Sequence, residues 1–148
     1  MSLNMTTEER EAFLAGLHIG VISIPDGERG PLTCPVWYSY KPGGEIVLVT
    51  GKTSRKAAAL RGAKRVSFLV QTEELPYKYV SVEGPIVALE EADLDQDVRP
   101  IAQRYLGREG GDGYLAATRG DRAEGDLVVR IVPERWLSVD YAKRFSQA

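Results

Sequence analysis

Residues 50–57, Thr-Gly-Lys-Thr-Ser-Arg-Lys-Ala, carry the strongest chemical signal in the sequence. They follow the apolar run 46–49, and Ser54 is a good helix N-cap because its hydroxyl can accept a hydrogen bond from a free amide of the first helical turn. Arg55 and Lys56 then fall in that turn, where the partial positive charge of the helix N-terminus repels them. An anion among them would reverse this cost, so the segment predicts a phosphate site.

The charge pattern around this segment favours a small anion over nucleic acid as the ligand. Residues 46–72 contain six Lys or Arg and no Asp or Glu, whereas the whole chain has 19 basic and 21 acidic residues. A nucleic-acid surface would spread its basic residues over a face, so we expect no nucleic-acid partner. The alternative is the solvated start of an ordinary Lys/Arg-rich helix.

The composition predicts one globular domain over residues 1–148, with residues 1–5 disordered or left over from cloning. With 43% hydrophobic residues the chain can form a core. Its apolar runs are far shorter than the ~20 residues that span a bilayer, and no secretion signal is evident, so we expect a cytoplasmic protein without a membrane partner. One cysteine, Cys34, and one histidine, His18, leave no Cys/His cluster for a metal.

The remaining sequence predicts short strands and helices around the phosphate-like segment. A capping box at residues 6–9 opens one helix, Ser54 a second, and Asp93 can cap a third that covers residues 90–106. Residues 107–113 are predicted as a loop, and Asp112 as the start of a last short helix that ends at Thr118. The predicted strands are residues 19–24, 32–40, 45–50, 65–71, 77–89, 127–132 and 136–141. Turn signals this closely spaced predict a small antiparallel barrel with flanking helices.

Few side chains elsewhere suggest catalysis. His18 has no nucleophile motif to serve, so a structural histidine is favoured. Cys34 has no flanking cation and fits a small buried hydrophobe. Residues 111–116 match a dinucleotide-binding pattern but follow a helix rather than a strand. The catalytic residue therefore stays unknown, and a cofactor is expected to do the chemistry, with any proton supplied by water or a tyrosine such as Tyr79.

Four segments in the same order resemble the pyridoxamine 5′-phosphate oxidase-like, split β-barrel flavin-binding proteins. They are residues 33–38, 50–57, 77–84 and 130–136, and the Ser-Arg-Lys run after a strand is the most specific. The resemblance implies an FMN-binding split barrel, mainly β with flanking helices. It also implies a homodimer with cofactor sites at the subunit interface, binding FMN or the deazaflavin coenzyme F420.

The same resemblance implies which residues bind the cofactor. The phosphate would be held by Ser54, Arg55 and Lys56, with Lys52 and Thr53 assisting. The ring system would lie against Pro35, Val36 and Trp37, with Val49 and Thr50 beside it. Further contacts would come from Gln71, Tyr79 and Trp136. Trp136 would reach across from the other subunit, or else anchor the core or interface.

The implied function is an oxidoreductase that transfers hydride between F420 or FMN and a small organic substrate. Residues 143–148 lack the C-terminal motifs of true pyridoxamine phosphate oxidases, so vitamin B6 oxidation is not expected. Residues 37–38 and 77–80 resemble the deazaflavin-dependent branch, and several cations suit its longer anionic tail. Two alternatives remain: a non-catalytic flavin-binding module, and a split barrel for another planar anion such as haem, which would have only His18 as a histidine ligand.

Overall fold

Seven β-strands and three α-helices make up the described part of the chain, residues 2–145, in the computed structural model. The strands are β1 (Gly20–Asp26), β2 (Arg29–Val36), β3 (Ile46–Gly51), β4 (Arg65–Gln71), β5 (Lys78–Glu91), β6 (Asp126–Ile131) and β7 (Arg135–Asp140). The helices are α1 (Thr7–Ala15), α2 (Arg55–Gly62) and α3 (Arg99–Ala117). A π-helical turn, Leu94–Val98, precedes α3, and 3₁₀ turns cover Arg119–Arg122 and Tyr141–Arg144.

The strands form an antiparallel sheet that curls into a split barrel. The strand order is β2-β1-β4-β5-β6-β3, with β7 added beside β5. The 14-residue β5 serves both halves: residues 78–83 pair with β7 and residues 86–91 pair with β6. A bridge between Ser39 and Val47 connects the segment after β2 to β3. We call β2, β1, β4, β7 and the start of β5 the first sheet, and β3, β6 and the end of β5 the second sheet. The prediction of a split antiparallel barrel is confirmed.

Alternating side chains of the strands fill the barrel, as the two-residue period of a half-buried strand requires. Phe68 and Tyr38 are the largest of the fully buried side chains, and their rings pack edge to face at 4.9 Å. The Tyr38 hydroxyl donates to the carbonyl of Leu14, 2.6 Å away, which ties α1 to the barrel. Other buried strand residues are Ile22, Ile24, Ile46, Leu48, Val66, Val70, Val80, Val82, Val129 and Ile131.

Residues 3–5 lie against β7 at the edge of the first sheet. The backbone amide of Asp140 donates to the carbonyl of Leu3 at 2.8 Å. Met5 is buried, and its amide donates to the hydroxyl of Ser138 at 3.1 Å. These bonds extend the edge of the first sheet and hold residues 3–5 in place. Met1 lies outside the described residues.

The predicted loop at residues 107–113 is wrong for most of its length, because residues 108–113 are helical and a break at Gly107 alone divides α3 into two helical segments. Only Gly107 leaves the helical conformation, with φ 80° and ψ 169°. The helix after this break packs closely on the helix before it, since a Cβ on Gly111 would lie 2.7 Å from the backbone nitrogen of Gln103. Asp112 Oδ1 also accepts a hydrogen bond from Gln103 Nε2 at 2.9 Å. Gly111, one of the glycines that suggest a flexible loop, thus permits a close contact between the two helical segments.

The predicted helix over residues 90–106 starts later than expected. β5 extends to Glu91, and Asp93 caps the π-helical turn by accepting from the amides of Asp95 and Gln96. Tyr105 holds α3 to the barrel, because its hydroxyl donates to the carbonyl of His18 at 2.6 Å. No helix among residues 2–145 combines the length and apolar character needed to cross a membrane.

Candidate functional site

The turn between β3 and α2 forms a fixed cradle, which we define as residues 50–56. The side chain of Thr50 is buried, and its Oγ1 lies 3.0 Å from Oγ of Ser54. Ser54 Oγ in turn accepts the backbone amide of Ala57 at 3.0 Å, so the predicted N-cap is confirmed. The amide of Lys52 donates to the carbonyl of Gly125 at 2.9 Å. The cradle is therefore held both by its own hydroxyls and by the loop before β6.

Two cations of the cradle pair with carboxylates that folding brings from distant parts of the sequence. Arg55 bonds through both terminal guanidinium nitrogens to Asp26, at the end of β1. Lys52 Nζ lies 2.6 Å from Oε1 of Glu91. These hydrogen bonds lower the pKa of both carboxyls, so both are ionised at neutral pH. The cradle thus has less free positive charge than the acid-free stretch 46–72 implies.

Lys56 differs from these two cations, since no acceptor or carboxylate within residues 2–145 pairs with its ammonium group. The backbone amides of Arg55 and Lys56 also find no acceptor in this part of the chain. They belong to the first turn of α2, where amides have no partner within the helix. One ammonium group and two free amides form a donor set that fits a phosphate group.

An aromatic wall lies beside the cradle, between the second sheet and α3. The Trp37 ring stacks on Tyr105 with ring centres 5.0 Å apart and planes 9° from parallel. Tyr114 meets the same indole at 5.4 Å with a tilt of 52°. Trp37 and Val49 line a cavity of about 250 Å³ together with Thr50, so three of the residues predicted near the ring system come together.

The cavity lies between the outer face of the second sheet and α3. Its floor includes Gly51 and Asp126, which are cross-strand partners in β3 and β6. The cavity has free space at Gly51, because a Cβ atom placed there would have Ser54 Cβ, 3.9 Å away, as its nearest neighbour. The roof and far end comprise Val98, Ile101, Ala102, Tyr114, Leu115, Thr118, Asp121 and Arg122. A second cavity of about 550 Å³ shares Val98, Leu115, Arg122 and Asp126 with the first.

Two residues predicted beside the ring system occupy different surroundings. The Val36 side chain points into the barrel core and is 7% exposed, so it can offer only its backbone to a ligand in the cavity. Pro35 faces outward and pairs with Val21 on the first sheet. Strand alternation explains the separation, because adjacent residues of β2 face opposite sides.

The remaining predicted contacts do not join the cradle within one chain. Gln71 and Tyr79 are cross-strand partners in the first sheet. Trp136 packs against the core, with the guanidinium carbon of Arg10 4.6 Å above its ring and the ring of Tyr40 at 6.5 Å. Within a single chain, this packing matches the anchor alternative for Trp136.

His18 and Cys34 occupy positions that suit structural roles. The His18 Nε2 lies 2.9 Å from the carbonyl oxygen of Phe13, so this nitrogen carries the hydrogen in the neutral ring. The two rings are 4.5 Å apart, and burial lowers the pKa of His18. Cys34 is half-buried and packs against the barrel core.

Several site residues escape sequence reasoning. Asp26 and Glu91 lie far from the cradle in sequence, and no local pattern connects them to it. Tyr105 and Tyr114 lie on either side of glycines that predict a loop, so the sequence does not indicate that both rings contact Trp37. Asp126 begins a strand, and only the strand register places it beside Gly51. Burial raises the pKa of Asp126, and the positive charge of Arg122 opposes this rise. The site thus combines an anion cradle, an aromatic wall and a carboxyl that faces a cavity.

Comparisons with known proteins agree with this architecture. A family model described as pyridoxamine 5′-phosphate oxidase matches residues 6–140. A conserved hypothetical protein from Mycobacterium tuberculosis, Rv2991, has 26% identity over 98% of this chain and 91% of its own, with a TM-score of 0.78. A comparison with curated protein sequences found no match.

Two more distant solved structures share the fold. An F420 reductase has 16% identity over 86% of this chain and 94% of its own, with a TM-score of 0.60. A FAD-binding protein from Mesorhizobium loti has 20% identity over 91% and 92% of the two chains, with the same TM-score of 0.60. Because the matching family model covers both sheets, the cradle and α3, the chain belongs to the pyridoxamine 5′-phosphate oxidase family of split β-barrel proteins.

Proposed function

We propose that the protein is an oxidoreductase that binds coenzyme F420 or FMN and transfers hydride to or from a small organic substrate. The observation that carries this proposal is the adjacency of two unlike surfaces. The free donors of the cradle, at Arg55 and Lys56, suit a phosphate group, and the neighbouring wall around Trp37 and Val49 suits a planar ring. Both cofactors join a phosphate to a planar ring system, and their reaction when bound is hydride transfer.

The residues of the cradle divide the binding work. Lys56 supplies a positive charge that forms no ion pair with a carboxylate of the described residues. Ser54 orients the first turn of α2. Arg55 would exchange all or part of its contact with Asp26 for the phosphate. Lys52 and Thr53 lie at the rim, where they can contact a longer anionic tail. Catalysis would come mainly from holding the substrate in near-attack contact and excluding water.

We also propose that the protein acts as a homodimer with its first sheets facing each other. Strand register places Pro35, Val21, Leu69, Ser81 and Leu137 in one row across the outer face of that sheet. Leu137 is 57% exposed, and Pro35 at the other end of the row is exposed as well. A second copy would bury the apolar members of the row, which is the usual driving force of such an interface.

Binding titrations with FMN and with F420, followed by fluorescence, test the cofactor proposal. Lys56→Ala should weaken binding by about 10- to 150-fold, because a charged hydrogen bond contributes about 1.5–3 kcal/mol. Lys64→Ala is the matched control, since Lys64 is exposed just after α2 and has no ion pair within the described residues. Equal affinities of the two variants would place the phosphate elsewhere. A protein that binds the cofactor but reduces no acceptor would fit the alternative of a flavin-binding module.

A further inference from the structure

Asp126 is a titratable side chain of the site that takes no part in the proposed cofactor contacts. It is half-buried at the start of β6, on the same face of the strand as the buried Val128. It lines both cavities. No hydrogen-bond donor or ion-pair partner among residues 2–145 engages its carboxyl oxygens.

The nearest cation does not neutralise Asp126, because it is engaged elsewhere. Arg122 Nη1 donates to Thr118 Oγ1 at 2.6 Å, and its Nη2 donates to the carbonyl of Leu115. The guanidinium therefore closes the C-terminal end of α3, where a positive charge is favourable. The titratable and charged side chains that share a cavity with Asp126 are Arg99, Asp112, Tyr114, Arg119, Asp121 and Arg122.

The opposite side of the smaller cavity is apolar and aromatic. Trp37, Val49 and Ile101 contribute to its lining, and the proposed function gives this surface to the cofactor ring. The larger cavity, of about 550 Å³, adjoins it at Asp126 and has the volume of an ordinary ligand pocket. A compact planar substrate would fit in the larger cavity, with one edge against Asp126. The absence of a side chain at Gly51 leaves the path between the carboxyl and the cradle open.

We propose that the larger cavity is the substrate site and that Asp126, which lines both cavities, is the catalytic residue that exchanges a proton with the substrate. The inference rests on the proposed function, because a cofactor bound at the cradle would supply or receive the hydride. During reduction the substrate gains two electrons and one hydrogen as hydride, and a conjugated heteroatom takes the proton from the Asp126 carboxyl. The carboxylate regains its proton from water in the cavity, and during oxidation each transfer runs in reverse.

The environment of Asp126 supports this role. Burial moves its pKa upward from the usual range of an aspartate, toward the working pH, where a proton donor and acceptor is most effective. Arg122 opposes the shift without forming a hydrogen bond that would lock the carboxyl in its charged form. Water and Tyr79 were the proton sources expected from sequence, and Tyr79 lies in the first sheet rather than in either cavity.

The test compares Asp126→Asn with Glu124→Gln, a matched control that removes a carboxylate from the same loop outside both cavities. The probe is tetramethyl-1,4-benzoquinone, which needs one hydride and one proton to become its hydroquinone. With reduced cofactor, Asp126→Asn should lower kcat by about 100-fold or more and flatten its pH profile, since a positioned proton donor contributes about 10²–10⁴-fold. Glu124→Gln should match the wild type, and both variants should retain the affinity for cofactor.

A second readout does not depend on turnover. In ¹³C NMR titrations of the side-chain carboxyls, the Asp126 resonance should titrate above those of exposed aspartates and shift when the quinone is added. Ala92→Leu should weaken quinone binding several-fold, because the larger side chain takes up space in the larger cavity beside Asp126. This variant keeps the test open if Asp126→Asn folds poorly.

The outcomes separate the two proposals. If neither FMN nor F420 binds the wild type, the proposed function fails, and the proton-exchange role of Asp126 fails with it, while the NMR titration still shows whether the cavity takes the quinone. If cofactor binds but Asp126→Asn keeps the kcat and pH profile of the wild type, the inference about Asp126 is overturned. It is also overturned if the Asp126 resonance does not respond to the quinone and the wild type does not reduce it.

Discussion

The hydroxyl of Ser54 should stabilise the fold as well as prepare the phosphate site. Ser54→Ala removes two interactions at once, the cap on the amide of Ala57 and the bond to Thr50 Oγ1, both at 3.0 Å. Loss of an N-cap costs about 0.5–2 kcal/mol. Thr50 is only 4% exposed, and leaving its hydroxyl without a partner costs a further 1–3 kcal/mol or so. We therefore expect the free energy of unfolding to fall by about 2–4 kcal/mol.

Urea unfolding without cofactor measures this change directly. For a chain of this size, each kcal/mol corresponds to roughly 2–4 °C in Tm, so thermal scans should show a loss of about 5–15 °C. Ser54→Gly separates the two contributions, because glycine is nearly as good an N-cap as serine but still leaves Thr50 unpaired. Thr53→Ala is the control, since Thr53 is exposed and its side chain makes no hydrogen bond to the described residues. If Ser54→Ala lies within about 0.5 kcal/mol of the wild type, a value typical of neutral surface changes, the structural role assigned to this hydroxyl is wrong.

Three further predictions concern assembly, pH and catalysis. Leu137→Asp should convert a dimer to a monomer in light scattering, whereas Leu17→Asp, at another exposed leucine, should not; a monomeric wild type with bound cofactor would contradict the dimer. Hydrogen bonds from Lys143 and from the Thr6 amide lower the pKa of Glu9 from 4.5 to about 2, so this carboxylate contributes stability that is present above pH 4.5 and lost as the pH falls toward 2. Urea midpoints at pH 6 and pH 3 should therefore differ less in Glu9→Gln than in the wild type, and equal differences would show that Glu9 does not contribute. His18→Ala should leave kcat within a few-fold of the wild type, whereas a loss of 100-fold in a folded, cofactor-binding variant would show that the imidazole takes part in catalysis.

Local chemistry makes much of the barrel predictable. The caps at Thr6 and Ser54 and the bounds of β4 follow from short-range rules, because a side-chain cap or an alternating strand depends on residues a few positions apart. The glycines of residues 107–113 mislead for a physical reason: the same residue type suits a flexible turn and a tight helix contact, and only the packed structure distinguishes them.

The candidate site is less predictable than the fold. Its anion cradle is contiguous in sequence and can be recognised there. Asp26, Glu91 and Asp126 reach the cradle only through strand pairing, since the register of β3 against β6 and the position of α2 beside β1 bring them near. Long-range register depends on the whole hydrophobic pattern of the sheet, so no local window of sequence contains it.

The ion pairs of Arg55 with Asp26 and of Lys52 with Glu91 mean that the cradle already holds its own counter-ions. An incoming ligand therefore competes with two tethered carboxylates, whose local concentration does not change with the solution. Chloride and other weakly bonding anions should lose this competition, whereas a phosphate ester that also engages the free amides and a ring that fills the adjoining cavity can win it. Affinity at such a site would depend less on ionic strength than a count of its cations suggests, because binding exchanges one negative partner for another instead of neutralising bare charge.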